Sequence, residues 1–134
     1  TIFNRFYEPD IDIERIAVGA ASVFSMPADL RTTLRWTGIL SGKDKLLQLS
    51  SSTGVHNGEA VVKLLLAGAT TVQVCSAMYE QGIGTIRTMN HFLNSWMDKK
   101  GFESIDEFRG RLSYAGNAAR YERAQFMKYF SDHK

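Results

Sequence analysis

The stretch that most constrains this chain is residues 46–85, which reads in the order strand, polar turn, helix, strand, polar turn. Leu46 to Leu49 is an apolar run ending in Ser50-Ser51-Ser52-Thr53-Gly54. Glu59 to Ala67 carries helix-forming residues, with Val61, Leu64 and Leu65 at one-face spacing. Gly68 stands where a helix needs a left-handed C-terminal residue. A β-rich run, Thr70 to Val74, follows at once and ends in Cys75-Ser76-Ala77. Two strands joined by a helical crossover of about 15 residues pair in parallel, since parallel pairing is what needs so long a connection. Both polar turns therefore fall at the C-terminal ends of neighbouring parallel strands, the rim at which α/β barrels bind ligands.

Around this unit the pattern continues. Thr1-Ile2-Phe3 is strand-like and leads into the polar segment Asn4 to Asp10, so the chain reads as beginning inside a strand whose C-terminal loop is kept. Short β-like runs at Arg15 to Val18 and Ala21 to Phe24 flank Gly19-Ala20 as a hairpin. Pro27 opens a helix from Ala28 to about Leu40, with Leu30, Leu34 and Leu40 among its apolar positions, closed by Ser41-Gly42-Lys43-Asp44. A long helix from Thr85 to Lys99 carries Ile86, Met89, Leu93, Trp96 and Met97 on one face and stops at Gly101. Ser104 and Glu107 have capping-box spacing for a short helix to Arg109, and a last helix spans Ala118 to Phe130. Three parallel main strands result. A purely parallel sheet needs both faces covered, so three strands make only part of a barrel or open sheet.

Several function classes are disfavoured. The 134 residues suit one modest domain, and 44% hydrophobic with 22% charged residues is ordinary globular composition. Residues 1–97 balance at 8 basic against 8 acidic side chains, and the net charge of +2 arises after Met97, spread through helices. That distribution predicts no nucleic-acid partner. No apolar run approaches the roughly 18 residues of a membrane span, and no secretory signal opens the chain. The lone cysteine, Cys75, excludes an internal disulfide and fits a reducing cytoplasm, the expected location. His56, His91 and His133 are too scattered for a zinc site, and no P-loop, G-x-G-x-x-G or nucleophile–base spacing is present.

The chemistry concentrates in the two turns. A phosphate dianion wants converging donors and no adjacent carboxylate, and backbone N–H groups entering a helix supply both donors and a favourable dipole. Gly54 allows close backbone approach, and the hydroxyls of Ser52, Thr53 and Ser76 add donors. No acidic residue lies between Leu46 and Asn57 or between Thr70 and Tyr79. Serines and glycines also simply make turns, and that reading stands beside the phosphate site. Asn4, at the end of the first strand, is either a ligand amide or a turn residue, and Arg5 either pairs an anion or reaches solvent. Cys75 reads as a small buried turn residue more readily than as a nucleophile.

With these residues in view, the chain resembles the C-terminal part of the dihydroorotate dehydrogenase family. The family's Gly-Thr-Gly-Gly-Ile turn corresponds to Ser51-Ser52-Thr53-Gly54-Val55, and its Leu-Ala-Gly-Ala turn is unchanged as Leu66-Ala67-Gly68-Ala69. Gln-Val-Gly-Thr-Ala-Leu becomes Gln73-Val74-Cys75-Ser76-Ala77-Met78. The most specific stretch is the closing Lys-Gly-Tyr-x-Ser-Ile-x-Glu-Phe-Arg-Gly, here Lys100-Gly101-Phe102-Glu103-Ser104-Ile105-Asp106-Glu107-Phe108-Arg109-Gly110.

The resemblance implies an α/β fold: the C-terminal fragment of a (β/α)₈ barrel, a single piece over 1–134 with 111–134 as a helical extension. It implies FMN as cofactor, its phosphate held by the backbone at Ser52-Thr53-Gly54 and Cys75-Ser76. Asn4 matches the asparagine that contacts the substrate's pyrimidine ring, dihydroorotate or a relative. The implied reaction passes hydride from a saturated ring to flavin while a protein base takes the other proton. That base and the flavin-contacting lysine would come from strands outside this chain, leaving no catalytic residue within it. Departures from the pattern mark a divergent branch: Thr53 and Cys75 replace glycines, Arg5 stands where Ser or Thr is usual, and Ser25-Met26-Pro27 replaces a glycine-rich loop. Two other classes stay open: a flavin-free barrel lyase or isomerase acting on a sugar phosphate, and a non-catalytic binding or assembly module. Exposed strand edges predict self-association of the piece.

Overall fold

The computed structural model describes residues 1–2 and 8–121, with the side chains of 118–120 left aside. Strands β1 (Pro9–Asp12) and β2 (Ala17–Ala20) form an antiparallel hairpin, with Ile11 opposite Val18. A single 3-10 turn (Pro27–Asp29) leads into α1 (Leu30–Lys43), followed by β3 (Ser50–Ser51), α2 (Gly58–Ala67) and β4 (Thr71–Val72). Helices α3 (Ser76–Gln81), α4 (Gly84–Lys100) and α5 (Tyr114–Tyr121) complete the described chain, with a 3-10 turn at Ile105–Glu107.

β3 and β4 pair in parallel, as the crossover spacing predicts, with Ser50 opposite Thr71 and Ser51 opposite Val72. The ladder is shorter than the apolar runs and starts later. Leu46 is 92% exposed because the Asp44 carboxylate accepts the Leu46 N–H at 2.9 Å and bends residues 44–47 into a turn. The Ile2 N–H donates to the Ser50 carbonyl at 3.1 Å, which sets the start of the chain beside β3. Thr1 and Ile2 are not themselves strand, and the rest of the strand expected there lies outside the described residues.

Helix α2 is the centre of the core. The Asn57 Oδ1 accepts the Ala60 N–H at 2.9 Å as its N-cap, and Gly68, with φ 111°, closes it. The one-face reading of Val61, Leu64 and Leu65 is too narrow. Leu64 and Ala60 pack with Val55, Ala69 and the half-buried Leu30 and Leu34 of α1, while Val62 and Leu65 pack with Leu93 of α4 and Phe108. A helix flanked on both sides carries a broad apolar arc, which leaves only the Glu59–Lys63 edge of α2 to solvent. Gly58 lets α4 close in, since a Cβ there would strike the Phe92 side chain.

The closing motif explains itself by position. Phe108 is fully buried against Trp96, with ring centroids 5.0 Å apart and edge-on. The Gly110 and Leu112 N–H groups donate to the Leu65 and Leu66 carbonyls at 3.0 and 2.9 Å, the former shared with the Gly68 N–H, so the closing segment is tied to the end of α2. Gly110, at φ 71°, lies directly against Gly68. The segment seals the helix that carries both turns.

Four sequence expectations are corrected. The hairpin turn lies at residues 13–16, not at Gly19-Ala20, because the Asp12 carboxylate accepts the Glu14 and Arg15 N–H groups, both at 3.0 Å. Helix α1 runs through Ser41-Gly42-Lys43 and buries Thr33, Thr37 and Gly38 rather than a leucine stripe. Ser104 makes no side-chain cap, because the Glu107 carboxylate that would complete the box accepts the N–H of Glu103, one residue earlier, at 3.1 Å. Helix α5 begins at Tyr114, with a non-helical Asn117, and the rest of the expected last helix lies outside the described residues.

Candidate functional site

The first turn is held from behind by α1. The Thr33 hydroxyl donates to the Ser52 carbonyl at 2.9 Å and reaches the Thr53 carbonyl at 3.2 Å, and the Thr37 and Ser51 hydroxyls share a bond of 2.8 Å. Both threonines are almost wholly buried. Thr53 and Gly54 have φ of 83° and 79°, so the turn keeps a left-handed backbone even where a β-branched residue must adopt it. Gly54 is required by the protein's own packing: a Cβ there would collide with the Leu30 backbone. The close approach that the sequence suggested for a ligand is made by the start of α1.

The second turn enters α3 at Ser76. Its Oγ accepts the Ser25 N–H at 2.9 Å and the Ser25 hydroxyl at 3.0 Å. The Cys75 side chain is exposed rather than buried, because the turn faces open space at the strand end. Ser52, Thr53, Gly54, Cys75 and Ser76 all line one cavity of about 730 Å³, together with Ser25, Gln73 and Thr1. The structure thus joins the five candidate residues of the two turns on a wall that carries no acidic side chain. Asn4 and Arg5 lie outside the described residues.

Sequence reading did not bring together three side chains here. Ser25, 8% exposed, accepts the Gly54 N–H at 3.3 Å and lies 3.5 Å from His56 Nε2. The Nδ1 of His56, whose side chain is 9% exposed, lies 3.5 Å from the Glu80 carboxylate. These residues sit in three separate segments; the sequence marked His56 as a helix N-terminal or ligand-facing group and Ser25 as part of the Ser25-Met26-Pro27 departure, but nothing in it pointed to Glu80 or linked the three.

The donor set fits a phosphate ester. The Gly54 amide already takes an oxygen acceptor, the Ser25 hydroxyl, so it faces the polar cluster rather than the β-ladder. Ser76 adds a hydroxyl and heads a helix whose first amides lack intrahelical partners. Among the described residues no three metal-ligating side chains cluster, and no helix is long and apolar enough to cross a membrane.

No protein-family model matches the chain. Curated relatives do. A dihydroorotate dehydrogenase (fumarate) of Lachancea kluyveri is 34% identical over 67 residues, which is 50% of this chain and 21% of that protein. One from Trypanosoma brucei brucei is 41% identical over 59 residues, 44% of this chain and 19% of that protein. A chloroplastic dihydropyrimidine dehydrogenase (NADP(+)) of Arabidopsis thaliana is 37% identical over 62 residues, 46% of this chain and 15% of that protein. The chain therefore spans about a fifth of the length of these dihydroorotate dehydrogenases. The crystal structure of a DHODH from Eimeria tenella, in complex with ferulenol, superposes with a TM-score of 0.61 over 71% of this chain and 24% of that one, at 18% identity. At that identity the likeness concerns the fold alone. Over about half its length, this α/β chain is dihydroorotate dehydrogenase-like.

Proposed function

We propose that this chain is the C-terminal part of an FMN-dependent, dihydroorotate dehydrogenase-like oxidoreductase, contributing the last parallel strands of a (β/α)₈ barrel and its flavin-phosphate site. The observation that carries the reading is the single cavity shared by the two turns at the C-terminal ends of β3 and β4. Backbone amides at Thr53-Gly54 and Cys75-Ser76, with the Ser52 and Ser76 hydroxyls, would hold the phosphate. FMN, when bound, supplies the hydride acceptor. The substrate is a dihydropyrimidine-type ring, the chemistry common to the names of the curated relatives. Asn4 is assigned to that ring, residues 111–134 to a helical extension, and the base and lysine to strands outside this chain. The exposure of Ile11, Ile13, Ile16 and Val18 among the described residues supports self-association of the piece.

Cys75→Asp tests the phosphate site. The exposed Cys75 is the N-cap position of α3, where Asp is preferred, so the variant should fold at least as stably. A carboxylate on the cavity wall should nevertheless repel the phosphate and abolish visible flavin absorbance after equilibration with FMN. Retention of flavin by a folded full-length protein carrying Cys75→Asp, or absence of flavin from the unaltered full-length protein, refutes the assignment.

A further inference from the structure

Three side chains meet beside the Gly54 turn in an order with chemical meaning. Ser25 precedes the Pro27–Asp29 turn, His56 lies between β3 and α2, and Glu80 is on α3. The Ser25 Oγ and the Glu80 carboxylate lie 3.5 Å from the two opposite ring nitrogens of His56. A carboxylate at Nδ1 selects the tautomer with its hydrogen there, which leaves the Nε2 lone pair facing the hydroxyl. Nucleophile, base and orienting carboxylate in this arrangement recur on unrelated folds, recognised by geometry and not by chain order. The Ser25 hydroxyl has a resting acceptor in Ser76 Oγ at 3.0 Å. A hydroxyl hydrogen rotates between acceptors, so His56 is within reach when the proton must leave, and such contacts are commonly long before substrate binds. The Gly54 amide, 3.3 Å from Ser25 Oγ, is a backbone donor next to the place where an oxyanion would form.

We propose that Ser25 is the nucleophile of an acyl-transfer site, with His56 as its general base and Glu80 positioning His56, acting on small carboxylic esters. The cavity supplies the specificity: Val23, Phe24, Val55 and Tyr79 give it apolar walls, and the low exposure of Ser25 admits only a slender acyl group. Ser25 Oγ attacks the ester carbonyl carbon, and its proton passes to His56 Nε2. The ester C–O bond breaks, and the leaving alkoxide takes that proton. Water then attacks the acyl-serine, gives a proton to His56, and the proton returns to Ser25 Oγ as the carboxylic acid departs. The net reaction is ester plus water to acid plus alcohol, with no oxidant. This activity does not depend on flavin, and the two uses of the cavity exclude each other because both need the Gly54 amide.

The test treats the protein with a fluorophosphonate, maps the adduct by peptide mass, and follows p-nitrophenyl acetate hydrolysis in parallel. The expected adduct is on Ser25 and is absent in Ser25→Ala. His56→Gln should slow labelling by roughly 100-fold or more while leaving thermal unfolding unchanged. Glu80→Gln should lower kcat for the ester by a smaller factor without raising KM, a split that mere loosening of the loop would not give. No adduct on Ser25 in the folded protein, an adduct only on Cys75 or elsewhere, or equally fast Ser25 labelling in folded His56→Gln overturns the proposal.

Discussion

The β3–α2–β4 unit and the β1–β2 hairpin use similar residues to opposite ends. In the unit, Leu49, Val62, Leu64 and Leu65 are at most 5% exposed, whereas in the hairpin Ile11, Ile13, Ile16 and Val18 are 67% to 90% exposed. The hairpin hydrogen-bonds along its own ladder and joins no other described strand. Apolar content does not make a core. What makes one is a second element close enough to exclude water, and the unit has α1 on one side and α4 on the other. Among the described residues the apolar side chains of the hairpin stay exposed, so they add little burial to a two-stranded ladder that is marginal by itself in water.

This contrast has measurable consequences. Leu64→Ala should lower the unfolding free energy by about 2–5 kcal/mol in chemical denaturation, because a wholly buried side chain leaves a cavity. A loss below 1 kcal/mol would mean that the unit is no better packed than the hairpin. Thr53→Gly should act in the other direction. The left-handed φ of 83° is strained for a β-branched residue, and removing that strain should stabilise the protein by roughly 1 kcal/mol net of glycine's entropy.

Tyr121→Phe should cost about 0.5–1 kcal/mol through loss of the hydroxyl bond to the Leu112 carbonyl. Burial raises the Tyr121 pKa above the usual 10.0, so the folded state holds that proton more tightly than the unfolded chain. Its contribution is complete below pH 10.0 and is lost as pH rises through the raised folded value. Thermal unfolding of the parent should therefore decline at alkaline pH more steeply than that of Tyr121→Phe. Smallest in stability is the pair Ile11→Ser and Val18→Ser, expected within about 0.5 kcal/mol of the parent. The same pair should reduce self-association in sedimentation, and a large loss of stability instead would show that the hairpin is packed after all.

What the sequence disclosed follows the range of the forces involved. Helices α2 and α4 were legible because capping glycines and apolar spacing act within a few residues, as Gly68 and Gly101 show. The parallel pairing of β3 and β4 was legible because the connecting helix leaves little choice. The hairpin was misplaced because an Asp12 side-chain bond outranked the turn propensity of Gly19, a contest that composition does not display. In α1 the leucines drew attention, while the buried Thr33 and Thr37 do the positioning, because their partners are carbonyl and hydroxyl oxygens of a distant turn. The five turn residues of the site were named in advance. The Ser25, His56 and Glu80 chain was not, since nothing local links three residues so far apart in sequence.

The bonds from Gly110 and Leu112 to the last carbonyls of α2 also fix an order of events. During synthesis, the N-terminal part of the unit can close as soon as β4 emerges, since its contacts are short in sequence. Gly68 caps α2 locally, but the bonds to the Leu65 and Leu66 carbonyls wait until α4 and the closing motif have followed, and each added stretch of loop makes that late contact slower to find. A polypeptide truncated between the end of α4 and Gly110 should therefore lack this late contact, and proteases should cut it near Gly68 faster than they cut the whole chain.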